Sequence, residues 1–220
     1  MIRVIIADDH SLVRVALTRL FKEIKSIDIV AEASTGEEAV DLTRKHRPHV
    51  VLMDLLMPGI GGLEAARRIV QMEDDIRVVV VTAADREPYP SQALKAGVTG
   101  YVTKGSSAEE LVTAVKRAYA GQRYVSSDVA QRLAFRAFDA YDVCPFDQLS
   151  NREMQITLMV INCHRVQDIS ISLHLSPKTV NSYRYRIFEK LHVSSDVELV
   201  LLAVKHGMIN PLTHAIAESA

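Results

Sequence analysis

Five short runs rich in β-branched residues recur through residues 1–121 with helical spacings between them: Val4 to Ala7, Ile27 to Ala31, Val50 to Met53, Val78 to Thr82 and Gly100 to Val102. Runs of this length that are apolar throughout fit strands buried on both faces. Their regular separation by helices reads as βαβ units around a parallel sheet. Val13, Leu17, Leu20 and Ile24 mark the first helix, and Leu111, Val115 and Ala118 mark the last. Thr35 with Glu38, and Ser107 with Glu110, have the capping-box spacing, in which each side chain satisfies an otherwise free backbone donor. The pattern predicts five strands and five helices.

Past residue 121 the pattern changes. From Val125 to Asp147 strands are lost and one helical stretch lies around Val129 to Phe138. The segment closes on Val143, Cys144, Pro145 and Phe146, which reads as a linker with its own helix. A new helix start stands at Leu149–Ser150, where Glu153 completes a capping box and Met154 is placed to staple onto Leu149. Everything beyond is helical. Ser195 with Glu198 opens the last helix, expected over Asp196 to His206, and Gly207 fits a left-handed cap behind it. The expected organisation is an α/β domain over 1–122, a linker over 123–147, an all-α domain over 148–210 and a tail over 211–220.

A chain of 220 residues, 48% hydrophobic and 24% charged, can fill two modest domains whose cores need no covalent staples. Its cysteines, Cys144 and Cys163, lack the paired spacing of a zinc site and are too few for a disulfide framework; Cys163 is expected to be a small buried residue. Val4 to Ala7 stops at Asp8 and Asp9, which leaves no signal-peptide core, and no uncharged run approaches the ~20 residues a bilayer needs. A cytoplasmic chain without membrane contact is expected. Residues 1–147 carry 19 Lys and Arg against 21 Asp and Glu, and residues 148–220 carry 7 against 6, so there is no chain-wide basic footprint for nucleic acid. A local one remains: Lys178, Arg184, Arg186 and Lys190 face Glu189 alone, a net charge of +3 on one predicted helix.

In an open parallel sheet, ligands bind beyond the carboxyl ends of the strands where strand order reverses. Asp8 and Asp9 follow the first run, Asp54 the third, Thr82 ends the fourth, and Lys104 follows the fifth by two residues. Three carboxylates converging there repel one another, and a hard divalent cation, best Mg²⁺, relieves that most simply. Residues 1–121 resemble the receiver domain of two-component response regulators. Asp54-Leu55-Leu56-Met57-Pro58-Gly59 with Gly62 is similar to the family's phosphoacceptor loop, and Val78 to Ala83 to its fourth strand. The resemblance implies an α/β, five-stranded parallel-sheet (flavodoxin-like) receiver domain. In it Asp54 takes a phosphoryl group from the phosphohistidine of a sensor histidine kinase or phosphotransfer domain. Asp9, Asp54 and the Leu56 carbonyl then ligate Mg²⁺, with Asp8 acting through water, while Lys104 and the Thr82 hydroxyl face the equatorial oxygens.

Tyr101, by the same resemblance, is a switch aromatic working with Thr82; strand position alone reads it as a half-buried ring with its hydroxyl at the surface. Ala83 is small and leaves room beside Thr82. Gly105 stands where many receivers have proline, so the loop after Lys104 is less constrained. His10 receives no role, and Leu56, being apolar, cannot position an attacking water, which makes slow autodephosphorylation the expectation.

Gln167 to Leu173, a turn at Leu175–Ser176, and Pro177 to Leu191 read as helix, turn, helix. Ser176 is a strong N-cap, and Pro177 is tolerated because its missing donor would be free anyway. Val180, Tyr183, Ile187 and Leu191 form the buried face. The other face carries Lys178, Thr179, Asn181, Ser182, Arg184, Tyr185, Arg186 and Lys190, all able to hydrogen-bond phosphates or base edges. Since the start of a recognition helix reaches bases, Asn181, Ser182 and Tyr185 are assigned to bases, and the cations with Thr179 to phosphates.

Leu149 to about Met208 resembles the LuxR-type helix-turn-helix output domain, through Leu149-Ser150-Asn151-Arg152-Glu153, Leu175-Ser176-Pro177-Lys178-Thr179-Val180 and Glu189-Lys190-Leu191. Asn162 and Cys163 depart from the glycine many such domains carry there. A receiver joined to this all-α domain is the NarL/FixJ architecture. Pro145-Phe146, Pro177 to Lys190 and His206-Gly207-Met208 are similar to the GacA/UvrY group of global activators. The last helix carries Val197, Val200, Leu201 and Val204 besides Leu199 and Leu202, so more than one face is apolar. Either the rest of the chain covers the surplus, or it is a homodimer contact that presents two recognition helices to paired half-sites. The resemblance implies that phosphorylation of Asp54 releases or dimerises this domain to bind double-stranded promoter DNA and regulate transcription, as an activator. Enzymatic chemistry is then limited to self-phosphotransfer and autodephosphorylation.

Two enzyme classes fit the residues less well. A haloacid-dehalogenase-like phosphatase also uses a strand-end Asp with Mg²⁺, but it needs a general-acid Asp two residues on, where Leu56 stands. A nucleotide-cofactor enzyme needs a Gly-rich loop where the first strand ends in Asp8–Asp9. An adaptor whose helical domain binds protein or RNA stays open.

Overall fold

The computed structural model describes residues 1–72, 75–85, 87–138 and 144–209, with the side chains of residues 136–138 and 151 left aside; the expected tail over 211–220 and Val143 lie outside the described residues. The chain divides into two compact units, one of Met1–Asp85 and Tyr89–Ala140, the other of Arg86–Pro88 and Tyr141–Ala220. No described helix is long and apolar enough to cross a membrane.

The first unit alternates strand and helix: β1 Ile2–Ala7, α1 Ser11–Lys22, β2 Ile27–Ala33, α2 Gly36–His46, β3 Val50–Met53, α3 Gly61–Val70, β4 Arg77–Thr82, α4 Tyr89–Lys95, β5 Gly100–Thr103, α5 Ala108–Tyr119, β6 Tyr124–Val125 and α6 Ser127–Phe138. The strands form one parallel sheet in the order β2-β1-β3-β4-β5-β6. The sheet therefore has six strands, not the expected five. Tyr124 N–H donates to the Thr99 carbonyl at 3.0 Å and Ser126 N–H to the Tyr101 carbonyl at 2.9 Å, drawing the chain along β5 for two residues, too few to show a period. Val4, Ile6, Leu52, Val79, Val81 and Val102 bury one sheet face against Leu17 and Phe21 of α1 and Leu111 and Val115 of α5.

Helix starts follow the sequence signals with one variation. Thr35 and Ser195 accept from the N–H of Glu38 and Glu198 as caps should. Each glutamate, however, reaches back one residue further, to the N–H of Ser34 and Ser194, both at 2.7 Å. Ser150 with Glu153 closes a reciprocal box in the form expected.

The second unit is helical: α7 Asn151–Ile161, α8 Val166–Leu173, α9 Pro177–Leu191 and α10 Asp196–Lys205. Its core begins before residue 148. Pro145–Gln148 forms a 3₁₀ turn, and the buried Phe146 ring meets His206 edge-on at 6.0 Å. Within the expected 123–147 linker, β6 and α6 belong to the first unit and residues 145–147 to the second; residues 139–143 lie outside the described residues. Gly207, at φ +69°, closes α10 as a left-handed cap, with Met208 N–H on Ala203 at 2.9 Å.

The expectation that Cys163 is buried is corrected: it is exposed and sits at φ +62°. It occupies the left-handed position just past α7, where its N–H donates to Val160 at 2.9 Å and that of His164 to Met159 at 3.0 Å. That cap places the side chain outside the helix and strains any residue with a Cβ. Cys163→Gly is therefore expected to stabilise the protein by about 0.5–1 kcal/mol, read as a higher urea midpoint at unchanged slope.

Candidate functional site

β1 lies between β2 and β3, so strand order reverses between β1 and β3. Ala7 pairs with Met53 in register, so the next residue of each strand, Asp8 and Asp54, emerges at the same end of the sheet. Both side chains are only 2% exposed. β5 runs one residue longer than expected, so Lys104 follows it directly. Its N–H donates to the Thr82 carbonyl at 2.9 Å, fixing the lysine across the end of β4. Its ammonium reaches Asp8 Oδ2 at 2.7 Å and Asp54 Oδ2 at 2.8 Å. Burial pulls the Lys104 ammonium toward losing its proton, but Asp54 and Asp8 outweigh it and the group is held above the usual lysine range.

Asp54 Oδ1 also accepts from the Leu56 N–H at 3.2 Å, and Asp8 Oδ1 from the His10 N–H at 2.9 Å. Asp9 is more open, and its Oδ1 lies 2.7 Å from His10 Nδ1. One ligand atom from each of Asp8, Asp9, His10 and Asp54 falls within 4.8 Å of the others. His10, to which the sequence assigned no role, thus joins the cluster; its place directly after two aspartates was the available signal. Three carboxylates around one ammonium leave an excess of negative charge on hard oxygen donors, which fits a divalent cation such as Mg²⁺.

The loop that carries Asp54 depends on close backbone contact. Gly62 N–H donates to the Leu55 carbonyl at 3.1 Å, and a Cβ on Gly62 would lie 1.7 Å from the Asp54 carbonyl oxygen. Thr82 is fully buried, and its hydroxyl accepts from the Ala84 N–H at 3.3 Å. Tyr101 is fully buried too, not half-buried, and its hydroxyl donates to the Ala84 carbonyl. Tyr89, unnoticed between Pro88 and Pro90, is buried near enough that the Asp54 charge adds to burial in raising its hydroxyl above the usual tyrosine range. Leu56 turns its side chain outward, and Ala83 is exposed beside Thr82. Gly105 has no positive φ, and a Cβ there would meet the Thr103 hydroxyl at an ordinary 3.8 Å contact, so the position does not demand glycine.

In the second unit α8 ends at His174 in the left-handed conformation, and Ser176 caps α9 by accepting from the Thr179 N–H at 3.0 Å. Val180, Ile187 and Leu191 are buried and Tyr183 partly so, as the spacing required. The polar face divides in two. Lys178, Ser182, Tyr185 and Arg186 are exposed. Thr179 shares a hydroxyl contact with Ser176 at 2.8 Å. Asn181 accepts from Arg184 at 2.9 Å, and Arg184 is paired with Asp196. Lys190 is bonded to Glu153 at 2.7 Å, which clasps the end of α9 onto the start of α7. Burial pushes the Glu153 carboxyl up, yet hydrogen bonds from Lys190 and the Ser150 N–H outweigh that and hold it below the usual range. On α10, Leu199 and Ala203 enter the core, while Val197 and Leu201 are exposed and Val200 and Val204 are half-buried, one stripe along the outer face.

Residues 4–116 match the family model described as response regulator receiver domain, and residues 147–203 that described as bacterial regulatory proteins, luxR family. The chain is 53% identical over 211 residues to the response regulator GacA of Pseudomonas aeruginosa, covering 96% of this chain and 99% of that protein. It is 47% identical over 214 residues to the response regulator UvrY of Escherichia coli, covering 97% and 98%. A solved LuxR-family two-component response regulator from Aurantimonas superposes with a TM-score of 0.60 at 38% identity, over 63% of this chain and 99% of that one.

Proposed function

The chain belongs to the two-component response regulators that join a receiver to a LuxR-type DNA-binding domain, and from that premise we propose that Asp54 is the phosphoacceptor whose modification controls DNA binding by α9. The observation that carries this reading is the buried meeting of Asp8, Asp54 and Lys104 at the point where strand order reverses. A carboxylate oxygen of Asp54 attacks phosphorus of a phosphohistidine on a histidine kinase or phosphotransfer domain. The phosphorus–nitrogen bond breaks and its electron pair leaves with the imidazole. Asp8, Asp9, Asp54 and the Leu56 carbonyl are the groups to hold Mg²⁺, which supplies neutralisation of the phosphoryl oxygens. Lys104 brings a fixed positive charge to the same oxygens. Thr82, accepting from Ala84, has a hydroxyl proton of its own to donate. Chemistry is confined to this self-phosphotransfer and to hydrolysis of the acyl phosphate, in which water attacks phosphorus, the Asp54 carboxylate leaves and inorganic phosphate is released.

Phosphorylation then shifts a pre-existing equilibrium toward a form in which the helical domain pairs with a second copy, through Val197, Val200, Leu201 and Val204, and places two α9 helices on promoter DNA in the cytoplasm. Tyr101 and Thr82 are the residues proposed to carry the change. On DNA, Asn181, Ser182 and Tyr185 face bases, while Lys178, Thr179 and Arg186 face phosphates. Lys190 and Arg184 were assigned to phosphates by their charge, but each has an internal carboxylate partner. Asn181→Ala is expected to cost about 1–3 kcal/mol at one operator position and relax preference there. Arg186→Ala should weaken binding to every duplex and lower the salt slope by about one. Titrations on matched and mismatched duplexes over a salt series decide between them, and the reverse pattern would mean that the faces of α9 are misassigned.

A further inference from the structure

Asn181 does not stand free on α9, and the way it is held limits what it can read on the premise that α9 contacts DNA. Arg184 donates from Nη1 to Asn181 Oδ1 at 2.9 Å. Its remaining nitrogens go to the Asp196 carboxylate, Nε to Oδ1 at 3.3 Å and Nη2 to Oδ2. The Phe188 ring lies 5.7 Å from Arg184 Cζ and supports the guanidinium from one more side. Asp196 itself is the first residue of α10, where the helix dipole favours a carboxylate. The guanidinium is thus tied across two helices, and its side chain is only 21% exposed.

A guanidinium carries donors and no acceptor, so the amide of Asn181 must turn its oxygen toward Arg184 and its NH₂ group away. An unconstrained asparagine reads adenine with both ends, accepting from N6 and donating to N7; guanine offers two acceptors, N7 and O6. We infer that Asp196 and Arg184 are positioning residues that hold the Asn181 amide as a hydrogen-bond donor, so that α9 selects guanine over adenine at the base pair Asn181 meets. Arg184 is then a determinant of specificity through Asn181, not a phosphate contact of its own.

The test is selection from a randomised duplex pool by the full chain, comparing wild type with Asn181→Ala, Arg184→Met and Asn181→Asp, each checked for its thermal melt. Wild type should favour guanine over adenine about tenfold at one position, the one that Asn181→Ala levels. Arg184→Met frees the amide, and the guanine-to-adenine ratio there should fall to about one or below. Asn181→Asp keeps the size and the Arg184 contact but has no donor, so it should lose guanine preference and favour cytosine, whose N4 donates. Adenine at that position in wild type, guanine preference surviving in Arg184→Met, or guanine preference surviving in Asn181→Asp would each overturn the inference. If Arg184→Met fails to fold, the wild-type base and Asn181→Asp still decide it. Absence of any enriched sequence with wild type would instead overturn the reading of α9 as a DNA-contacting helix, a separate failure visible before any variant is compared.

Discussion

Asp54→Asn is expected to fold, to melt no lower than wild type, and to take up no phosphoryl group from a small-molecule donor in Mg²⁺. The two halves of that result have one cause. Asp8 and Asp54 are both buried and share a single ammonium, at 2.7 and 2.8 Å from Lys104. Replacing one carboxylate by its neutral isostere leaves Lys104 paired with Asp8 and removes a like-charge repulsion, and the single amide oxygen accepts from either Lys104 or the Leu56 N–H, not both. A gain of up to about 1 kcal/mol is expected, because the carboxylate pair is a functional strain and not a structural support. An amide oxygen is too weak a nucleophile to displace imidazole or any other leaving group from phosphorus, so intact mass should stay that of the unmodified chain. Phosphoryl uptake by Asp54→Asn at the wild-type level would move the acceptor elsewhere.

The second large effect comes from a residue with no side chain. A Cβ on Gly62 would meet the Asp54 carbonyl oxygen at 1.7 Å, its carbon at 2.7 Å and Leu55 Cα at 2.8 Å, all of them backbone. Nothing there is the free end of a side chain that can swing aside, so Gly62→Ala must push the acceptor loop off the start of α3. The expected cost is about 3 kcal/mol or more, with phosphoryl uptake falling alongside. Gly61→Ala is the control one residue away. It faces open space within 4 Å but sits at φ +75°, so it should lose only the left-handed penalty, about 1–2 kcal/mol. Urea unfolding with phosphorylation rates separates the two, and equal losses would contradict the close-contact account.

The expected positions of β1, β3, β4 and β5 hold because nearly every residue of those short runs is buried, while β2, an edge strand with Asp28 and Glu32 exposed, is legible only from its β-branched Ile27, Ile29 and Val30. β6 escaped because two residues, Tyr124 and Val125, make no period; what recruits them is backbone pairing to β5, which no side chain reports. The acidic cluster was legible because its members sit at strand ends that sequence locates well. The roles of charges on α9 were less so, since each reads as free until its partner is known. Lys190 finds Glu153 37 positions away, and Arg184 finds Asp196 across the turn into α10. Cys163 was misread for a related reason: its residue type favours burial, but the cap at the end of α7 dictates where its Cβ points.

The most direct test of the account measures the affinity of the full chain for a duplex carrying the selected paired half-sites, with and without a small phosphoryl donor in Mg²⁺, for wild type and Asp54→Asn. The donor should tighten wild-type binding by about tenfold or more and leave Asp54→Asn unchanged. Equal affinities for both proteins, with and without donor, would contradict the claim that Asp54 governs the DNA-binding domain.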